Sequence, residues 1–149
     1  MAKWGFKGSK DATSVKTVSA VITVTGAARA KVYDMAFGCS ASPADNAFLW
    51  QVQRSTTTGT ATAAVANALD PADTTAATVI GYNVFTVDPT LTAGAFLYQV
   101  PLNQRATFRW VAAPGSELVI PATANAGIAL IVSSATTTVL DSGVMYEQQ

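Results

Sequence analysis

The sequence predicts an all-β fold, a sandwich or a barrel, in a single domain. Apolar and polar residues alternate with a period of two in several stretches, which is the pattern of strands rather than helices. Thr and Val are frequent, and their branched side chains favour pleated strands. Gly and Pro interrupt the pattern about every ten residues, a spacing typical of sandwiches and barrels.

The strand pattern begins at residue 15 and continues to the end of the chain. Its clearest example is residues 47–56, where Phe48, Trp50 and Val52 face the same side. Residues 128–132 are apolar at every position, which predicts a strand buried on both faces. About eight to ten short strands are expected. The eleven candidate segments are 15–24, 30–37, 47–56, 79–80, 82–87, 96–100, 105–111, 117–120, 128–132, 139–140 and 143–146.

The connections between these strands contain recognisable turn and loop signals. Residues 38–46 are expected to form a loop, because the segment begins with glycine and contains Ser42-Pro43. Residues 59–69 are rich in alanine, but the interspersed Thr and Val are poor helix formers, so the segment is predicted to be extended. It leads into a turn over residues 69–73, in which a short helical turn begun at Asp70 is an option.

The first 14 residues are expected to form an N-terminal arm, followed by a β-sandwich domain over residues 15–149. The arm carries Trp4 and Phe6 on a short, glycine-containing segment, so the sequence predicts that it exposes two large aromatic side chains. Two interpretations stay open. The arm is either a strand that closes over its own domain or a peg that docks on another subunit.

Lysines surround the two aromatic residues of the arm. Together with Lys16 they form the one positive cluster of the sequence, which is either a solvated tail or an electrostatic docking site for an acidic partner. The candidate partner-binding residues are therefore Lys3, Trp4, Phe6, Lys7 and Lys10.

The charge content is low for a freely soluble protein. Charged residues make up 12% of the chain and the net charge is zero, whereas about a quarter is typical. Low charge suggests that partners cover much of the surface. Neutrality argues against a nucleic-acid partner, which requires a clustered positive surface. No apolar run reaches the length of a membrane span, and the first ten residues lack the pattern of a signal peptide.

The residue types that most enzymes require are missing or isolated. The chain has no histidine, which excludes Ser-His-Asp and Cys-His nucleophiles and the common zinc sites. The single cysteine, Cys39, is expected to be a small buried apolar residue. Two carboxylates can hydrolyse glycosides without histidine, and the candidates are Asp70, Asp73, Glu117 and Asp141. Asp70 and Asp73 favour turn formation over catalysis or a calcium site.

Two further sets of residues have both a structural and a functional interpretation. Arg105 and Arg109 lie beside Trp110 and form either a recognition patch or, more commonly, pairs with carboxylates along a strand. Trp50 and Trp110 are predicted to be core residues, with exposure as a sugar-stacking platform or interface anchor as the alternative.

Several segments resemble a group of small virion structural proteins of tailed bacteriophages. The resemblance covers about residues 45–149 and is carried by residues 69–73 (LDPAD), 101–112 (PLNQRATFRWVA), 114–118 (PGSEL), 126–128 (AGI) and 144–147 (VMYE). It implies a capsid decoration, or cement, protein with a jelly-roll-like β-sandwich. It also implies a homotrimer, a major capsid protein as partner and a place on the capsid surface of the virion.

The expected function is therefore non-enzymatic. The chain is expected to bind the outer surface of a phage head and stabilise it, without a metal or another cofactor. The alternative is a carbohydrate- or host-binding module on a phage fibre or tail. A small carboxylate-based hydrolase ranks last, since turn formation explains two of its four candidate residues.

Overall fold

The computed structural model describes residues 1–11, 16–73, 78–133 and 138–149. Within these ranges the chain forms twelve strands, and none of these residues lies in a helix that is long and apolar enough to cross a membrane. The strands are β1 (Lys3–Asp11), β2 (Thr17–Thr23), β3 (Ala30–Ala41), β4 (Ala47–Ser55), β5 (Thr60–Ala63), β6 (Asn67–Ala68), β7 (Val79–Val87), β8 (Leu91–Asn103), β9 (Phe108–Val111), β10 (Leu118–Ile120), β11 (Gly127–Val132) and β12 (Val139–Gln148).

The strands form two antiparallel sheets that pack face to face, which confirms the predicted β-sandwich. Sheet A has the order β10-β3-β12-β1-β6, and β9 also pairs with β3. Sheet B has the order β5-β7-β2-β11-β4-β8. Consecutive strands at the start of the chain lie in alternate sheets, so most of the pairings join residues that are far apart in sequence.

The main core lies between the sheets and is built from the inward side of each alternating strand. Trp50 of β4 is completely buried and its ring lies 5.0 Å from that of Phe37 on β3. Tyr146 of β12 is also completely buried, and its hydroxyl donates a hydrogen bond to the Val79 carbonyl at 3.1 Å. Each large apolar side chain buried here contributes about 1.5–3 kcal/mol. The prediction that Trp50 is a core residue is confirmed.

A second, smaller core covers the outer face of sheet B. Its buried members are Ala20, Ile22, Phe85, Ala129 and Ile131. Strand β11 is consequently buried at every residue, as its apolar sequence predicts. The cover comes from the chain itself, because Phe85 of β7 clusters with apolar residues of β2 and β11.

The backbone of Val84 departs from regular strand geometry beside this second core. Val84 has a φ of 50°, which is uncommon for a β-branched residue. The irregularity changes the alternation of β7, so that Phe85 joins the same cluster as Tyr82 although the two are three residues apart. Val84 itself is exposed.

The N-terminal segment is a strand inside sheet A. Strand β1 pairs with β12 from Lys3 to Asp11 and with β6 on its other side. Trp4 and Phe6 point into the main core, where both rings contact Tyr146. The expectation that this segment exposes two aromatic side chains is wrong, because alternation along a strand places both on its buried face. Residues 12–14, the end of the predicted arm, lie outside the described residues.

Three strands are longer than their sequence pattern indicates. Strand β3 continues through Gly38 to Ala41, and β12 joins two segments that were expected to be separate. Strand β8 passes through Pro101. In β3 and β8 a Gly or Pro that was expected to end the strand lies where the sheet tolerates it.

The position of Pro101 has a simple hydrogen-bonding reason. The backbone N–H of Gln104 donates to the Asn46 carbonyl at 2.9 Å, and opposite residues of an antiparallel pair alternate between bonded and non-bonded. Pro101, opposite Leu49, therefore belongs to a non-bonded pair whose backbone groups point away from the partner strand. Because β8 is the last strand of sheet B, the missing N–H faces the free edge.

The middle of the chain is extended, as predicted. Residues 59–69 contain the short strands β5 and β6. The segment after them forms a turn in which Asp70 Oδ1 accepts the backbone N–H of Ala72 at 2.9 Å. This contact confirms turn formation as the role of Asp70. Val15, the first residue of the predicted strand 15–24, lies outside the described residues.

Candidate assembly interface

One side of the sandwich carries a row of half-exposed aromatic side chains, where β8 of sheet B faces β9 of sheet A. The ring of Tyr98 stacks on Phe108 at 6.0 Å and lies 6.3 Å from Trp110. Phe108 in turn stacks on the buried Phe37, so the row continues directly into the main core. We call this side the open edge. Its half-buried apolar residues are Tyr98, Val100, Leu102, Phe108, Trp110 and Leu118.

The topology explains why these side chains are only half covered. Strand β8 pairs with β4, and β9 pairs with β3, so each has its hydrogen-bonded neighbour on the inner side. Phe96 on β8 and Val111 on β9 are exposed apolar residues of these two strands. The prediction that Trp110 is a core residue holds in part, because it packs against the core but lies at its margin.

The open edge lacks the charges that usually protect a free strand. No charged residue occurs in residues 89–104, a segment that contains all of β8. Soluble proteins usually prevent edge-to-edge association with charged side chains, prolines, bulges or a covering segment. Strand β8 has Pro101 and irregular pairing near Gln53, but no lysine or carboxylate. An edge of this kind is suited to being covered by a partner.

The sequence already contained the signal for this surface, although the candidate residues were placed elsewhere. A run of 16 uncharged residues that includes Phe96, Leu97 and Tyr98 is unusual for a solvent-exposed strand. What the sequence did not indicate is that this strand ends its sheet. Without the strand order, β8 resembles an interior strand.

The five predicted partner-binding residues are divided by the alternation of β1. Lys3 and Lys7 are exposed on the outer face of sheet A, and the Lys3 ammonium group lies 5.3 Å from the centre of the Tyr33 ring. Trp4 and Phe6 point into the core and are not available to a partner in this fold. The structure therefore brings two of the five residues together on one accessible surface.

Lys10 has a different environment from the other two lysines. Its ammonium group donates a hydrogen bond to the backbone carbonyl of Phe85. Partial burial lowers the pKa of Lys10, and the nearby carboxylate of Asp88 opposes this effect. Lys10 thus ties β1 to β7 and is only partly accessible to a partner.

An ion pair lies beside Lys7 on the outer face of sheet A. Arg109 Nε donates to Asp34 Oδ1 at 3.0 Å, and its Nη2 donates to Oδ2. Asp34 is buried whereas the Arg109 side chain is largely exposed. The hydrogen bond to Asp34 raises the pKa of Arg109. Pairing with a carboxylate is therefore the role of Arg109, as the more common of its two interpretations predicts.

A shallow depression of about 360 Å³ crosses the same face. Gly38 and Gly143 form part of its floor, and Asp141 and Thr107 are among its lining residues. The Oδ2 atom of Asp141 is buried and accepts no hydrogen bond from the described residues. Cys39 lies at the margin and is half-buried rather than fully buried, and desolvation raises the pKa of its thiol.

Another of the predicted carboxylates has local structural partners. Glu117 accepts the backbone N–H of Gly115 at 3.1 Å, and this bond lowers the pKa of its carboxyl group. Its second oxygen lies 4.0 Å from the Lys31 ammonium group. Among the residues that the structure describes, no group of three or more His, Cys, Asp or Glu side chains is arranged to hold a metal ion.

Comparison with known proteins adds no family to these observations. The sequence matches no protein-family model, and no curated protein is detectably similar to it. The surfaces described above are therefore the basis for a functional interpretation.

Proposed function

We propose that this chain is a non-enzymatic virion structural protein that forms a homotrimer and decorates the outer surface of a phage head. The observation that carries the proposal is the open edge. It combines an uncharged 13-residue edge strand with half-exposed aromatic side chains that are continuous with the core. Obligate interfaces have this composition, because they resemble a domain core that has been divided in two.

The strand order supports a jelly roll as the type of sandwich. In sheet A the order β1-β12-β3 is followed by β9 and β10, and in sheet B the order β2-β11-β4-β8 runs alongside. The chain thus alternates between the sheets from β1 to β4 and returns in β11 and β12. This is the arrangement of two interleaved Greek keys. Strands β5, β6 and β7 are then an insertion between the fourth and fifth strands of the roll.

The outer face of sheet A is the surface that we assign to the capsid. Lys3 and Lys7 are exposed there and suit an acidic patch on the major capsid protein. Each copy would join neighbouring capsid subunits, so that rupture of the shell also requires these contacts to break. Apolar burial contributes about 25 cal/mol per Å² before the entropic cost of binding is subtracted. Because the contact is repeated over the capsid lattice, a modest contribution from each copy adds up to a substantial stabilisation of the shell.

The proposal is tested by adding the purified chain to shells that lack it. We expect saturable binding, measured by co-sedimentation, and a higher temperature of shell rupture, measured by calorimetry. Replacing Lys3 and Lys7 with Glu should weaken binding. The matched control replaces Lys16 and Arg105, which are also exposed, and changes the net charge equally. Shells that bind no protein, or that rupture at the same temperature when saturated, would contradict the proposed function.

A carbohydrate- or host-binding module is the second candidate, and the depression on sheet A favours it. The buried Asp141 oxygen, which has no partner among the described residues, suits a sugar hydroxyl as donor. A glycan screen tests this candidate. Binding that Asp141→Asn abolishes, by a chain that does not bind shells, would replace decoration with ligand binding.

A further inference from the structure

Four apolar residues of β2 and β11 lie outside the main core and are nevertheless buried. They are Ala20, Ile22, Ala129 and Ile131, the members of the second core that these two strands supply. Part of their cover comes from residues 84–95, which contain the end of β7, the start of β8 and the connection between them. We call this segment the strap. Its Phe85 is buried in the second core, and its Leu91 packs against that core.

Two charged side chains attach the strap to neighbouring strands. The carboxylate of Asp88, within the strap, accepts hydrogen bonds from the Thr17 backbone N–H at 2.8 Å and from the Thr17 hydroxyl at 2.6 Å. It also accepts the backbone N–H of Lys16 at 3.0 Å. From β1, the ammonium group of Lys10 donates to the Phe85 carbonyl. Because hydrogen bonds to charged groups are stronger than neutral ones, we expect these contacts to contribute most of the polar attachment of the strap.

The second half of the strap is attached by neutral side chains and backbone groups. The Thr90 N–H donates to the Thr57 hydroxyl at 2.8 Å, and the Thr90 carbonyl accepts the Thr56 N–H at 2.9 Å. The side-chain amide of Gln53 donates to the Thr92 carbonyl at 2.7 Å. Because Thr56, Thr57 and Thr90 are exposed, water can replace their hydrogen bonds when the strap moves.

Apolar burial contributes little to the attachment of the strap. Of its residues, Phe85 and Pro89 are buried, whereas most of the others are exposed. The backbone is left-handed near both ends of the strap, with a φ of 50° at Val84 and of 70° at Gly94. A branched residue such as valine keeps this conformation only where the surrounding structure enforces it. Segments with few buried apolar contacts and many exposed hydrogen bonds open at a lower free energy than the core does.

We propose that the strap opens as a unit while the two sheets stay folded, and that its opening exposes an apolar surface on β2 and β11. Opening removes Phe85 and Leu91 from the second core and leaves Ala61 and Tyr82 as the remaining cover. The described residues of the main core include none from the strap, so that core stays intact. The inference goes beyond the proposed function, which uses sheet A and the open edge, and it does not depend on a partner.

Two adjacent residues of β2 serve as probes, because each lies in a different core. Ala20 and Val21 are both completely buried, Ala20 in the second core and Val21 in the main core. Ala20→Cys and Val21→Cys are each combined with Cys39→Ser, which removes the one native cysteine. Labelling by a thiol reagent under native conditions, followed by mass spectrometry, then measures how often each position is exposed. We expect Ala20→Cys to be labelled at least about tenfold faster, at a rate that low urea concentrations change little.

Substitutions that weaken one core or one attachment distinguish strap opening from global unfolding. Val144→Ala weakens the main core, which the open strap leaves intact. It should accelerate labelling of Val21→Cys by about tenfold or more and leave that of Ala20→Cys unchanged. Asp88→Ala removes the hydrogen bonds at the start of β2 and should accelerate labelling of Ala20→Cys by about tenfold or more. The control is Asp70→Ala, which removes a comparable bond in an exposed turn and should leave that rate unchanged.

The inference is overturned if both cysteine variants are labelled at the same rate, or if Val144→Ala and urea accelerate the two labelling reactions equally. In either case the strap opens only with the whole fold. Hydrogen exchange of the unaltered chain provides the same comparison without any substitution, and residues 84–95 are expected to exchange before β11. Exchange of both segments in one concerted step would contradict strap opening even if a cysteine variant failed to fold.

Discussion

At the scale of single residues, Trp4 and Phe6 distinguish two roles of strand β1, which either contributes to the core or binds a partner. Trp4 stacks on Tyr146 with ring centres 5.8 Å apart, and both side chains are buried. Replacing Trp4 with Ala should lower the free energy of unfolding by about 3–5 kcal/mol. Urea denaturation measures this loss. Lys3→Ala, one position away and exposed, should change stability by less than about 0.5 kcal/mol.

The opposite result would restore the docking interpretation of the arm. If Trp4→Ala leaves stability unchanged but reduces shell binding, Trp4 is a contact for a partner rather than part of the core. The comparison with Lys3→Ala separates the two roles, because the lysine is expected to act on binding alone.

Tyr146 gives the protein a defined sensitivity to alkali. Burial raises the pKa of its hydroxyl group far above the ordinary value of about 10. In the unfolded chain the phenol ionises near pH 10, whereas in the folded chain it stays protonated. Unfolding therefore releases a proton above pH 10, so the contribution of Tyr146 to stability should be constant below that pH and fall above it.

Urea titrations between pH 8 and pH 11.5 test this prediction. The free energy of unfolding of Tyr146→Phe should be lower at neutral pH by about 1 kcal/mol, because the hydrogen bond to Val79 is lost. Its decline above pH 10 should be less steep than that of the native chain. An equal decline in both proteins would assign the effect to other tyrosines, such as Tyr33 and Tyr82, whose pKa values are also raised by burial.

At the scale of elements, Pro101 limits what can pair with β8. Its replacement by Ala supplies an N–H at the free edge without removing a bond to β4. We expect stability to change by no more than about 1 kcal/mol, while aggregation on mild heating becomes faster. Turbidity measures the rate. Pro114→Ala, in an exposed turn, is the control, and equal rates for the two variants would contradict the role of Pro101.

Strands with clear alternation or a continuous apolar run could be predicted from the sequence, whereas strands that contain many small residues could not. Strands β2, β4 and β11 follow from runs of Val, Ile, Leu and aromatic residues. Strand β3 was expected to end at Gly38, but a glycine facing outward from a sheet leaves the hydrogen bonding intact. Whether Trp4 and Phe6 are buried depended on the pairing of β1 with β12, which lies more than 130 residues away in sequence.

The surfaces could also be predicted only in part, because residue type is visible in the sequence whereas long-range pairing is not. The pairing of Arg109 with a carboxylate could be anticipated from residue type, but its partner Asp34 is 75 residues away in sequence. The uncharged run of β8 is visible in the sequence, and its meaning depends on the strand order. A free edge is a property of the sheet, so no local pattern could reveal it.

At the scale of the whole molecule, the fold buries part of the apolar composition and leaves another part half-exposed at the open edge. Strand β11 is apolar on both faces because Phe85 and its neighbours cover it within the same chain. Within the part of the chain that the structure describes, the apolar side chains of the open edge are only half covered. If the chain is an assembly protein, this difference predicts that the sandwich folds without a partner and that its open edge binds one.

The measurement that tests this claim most directly is the mass of the purified chain in solution, by light scattering on a size-exclusion column. We predict a trimer at micromolar concentration, with its open edges covered. A monomer that stays soluble at every concentration would contradict the account, because the open edge would then be stable in water without a partner of its own kind.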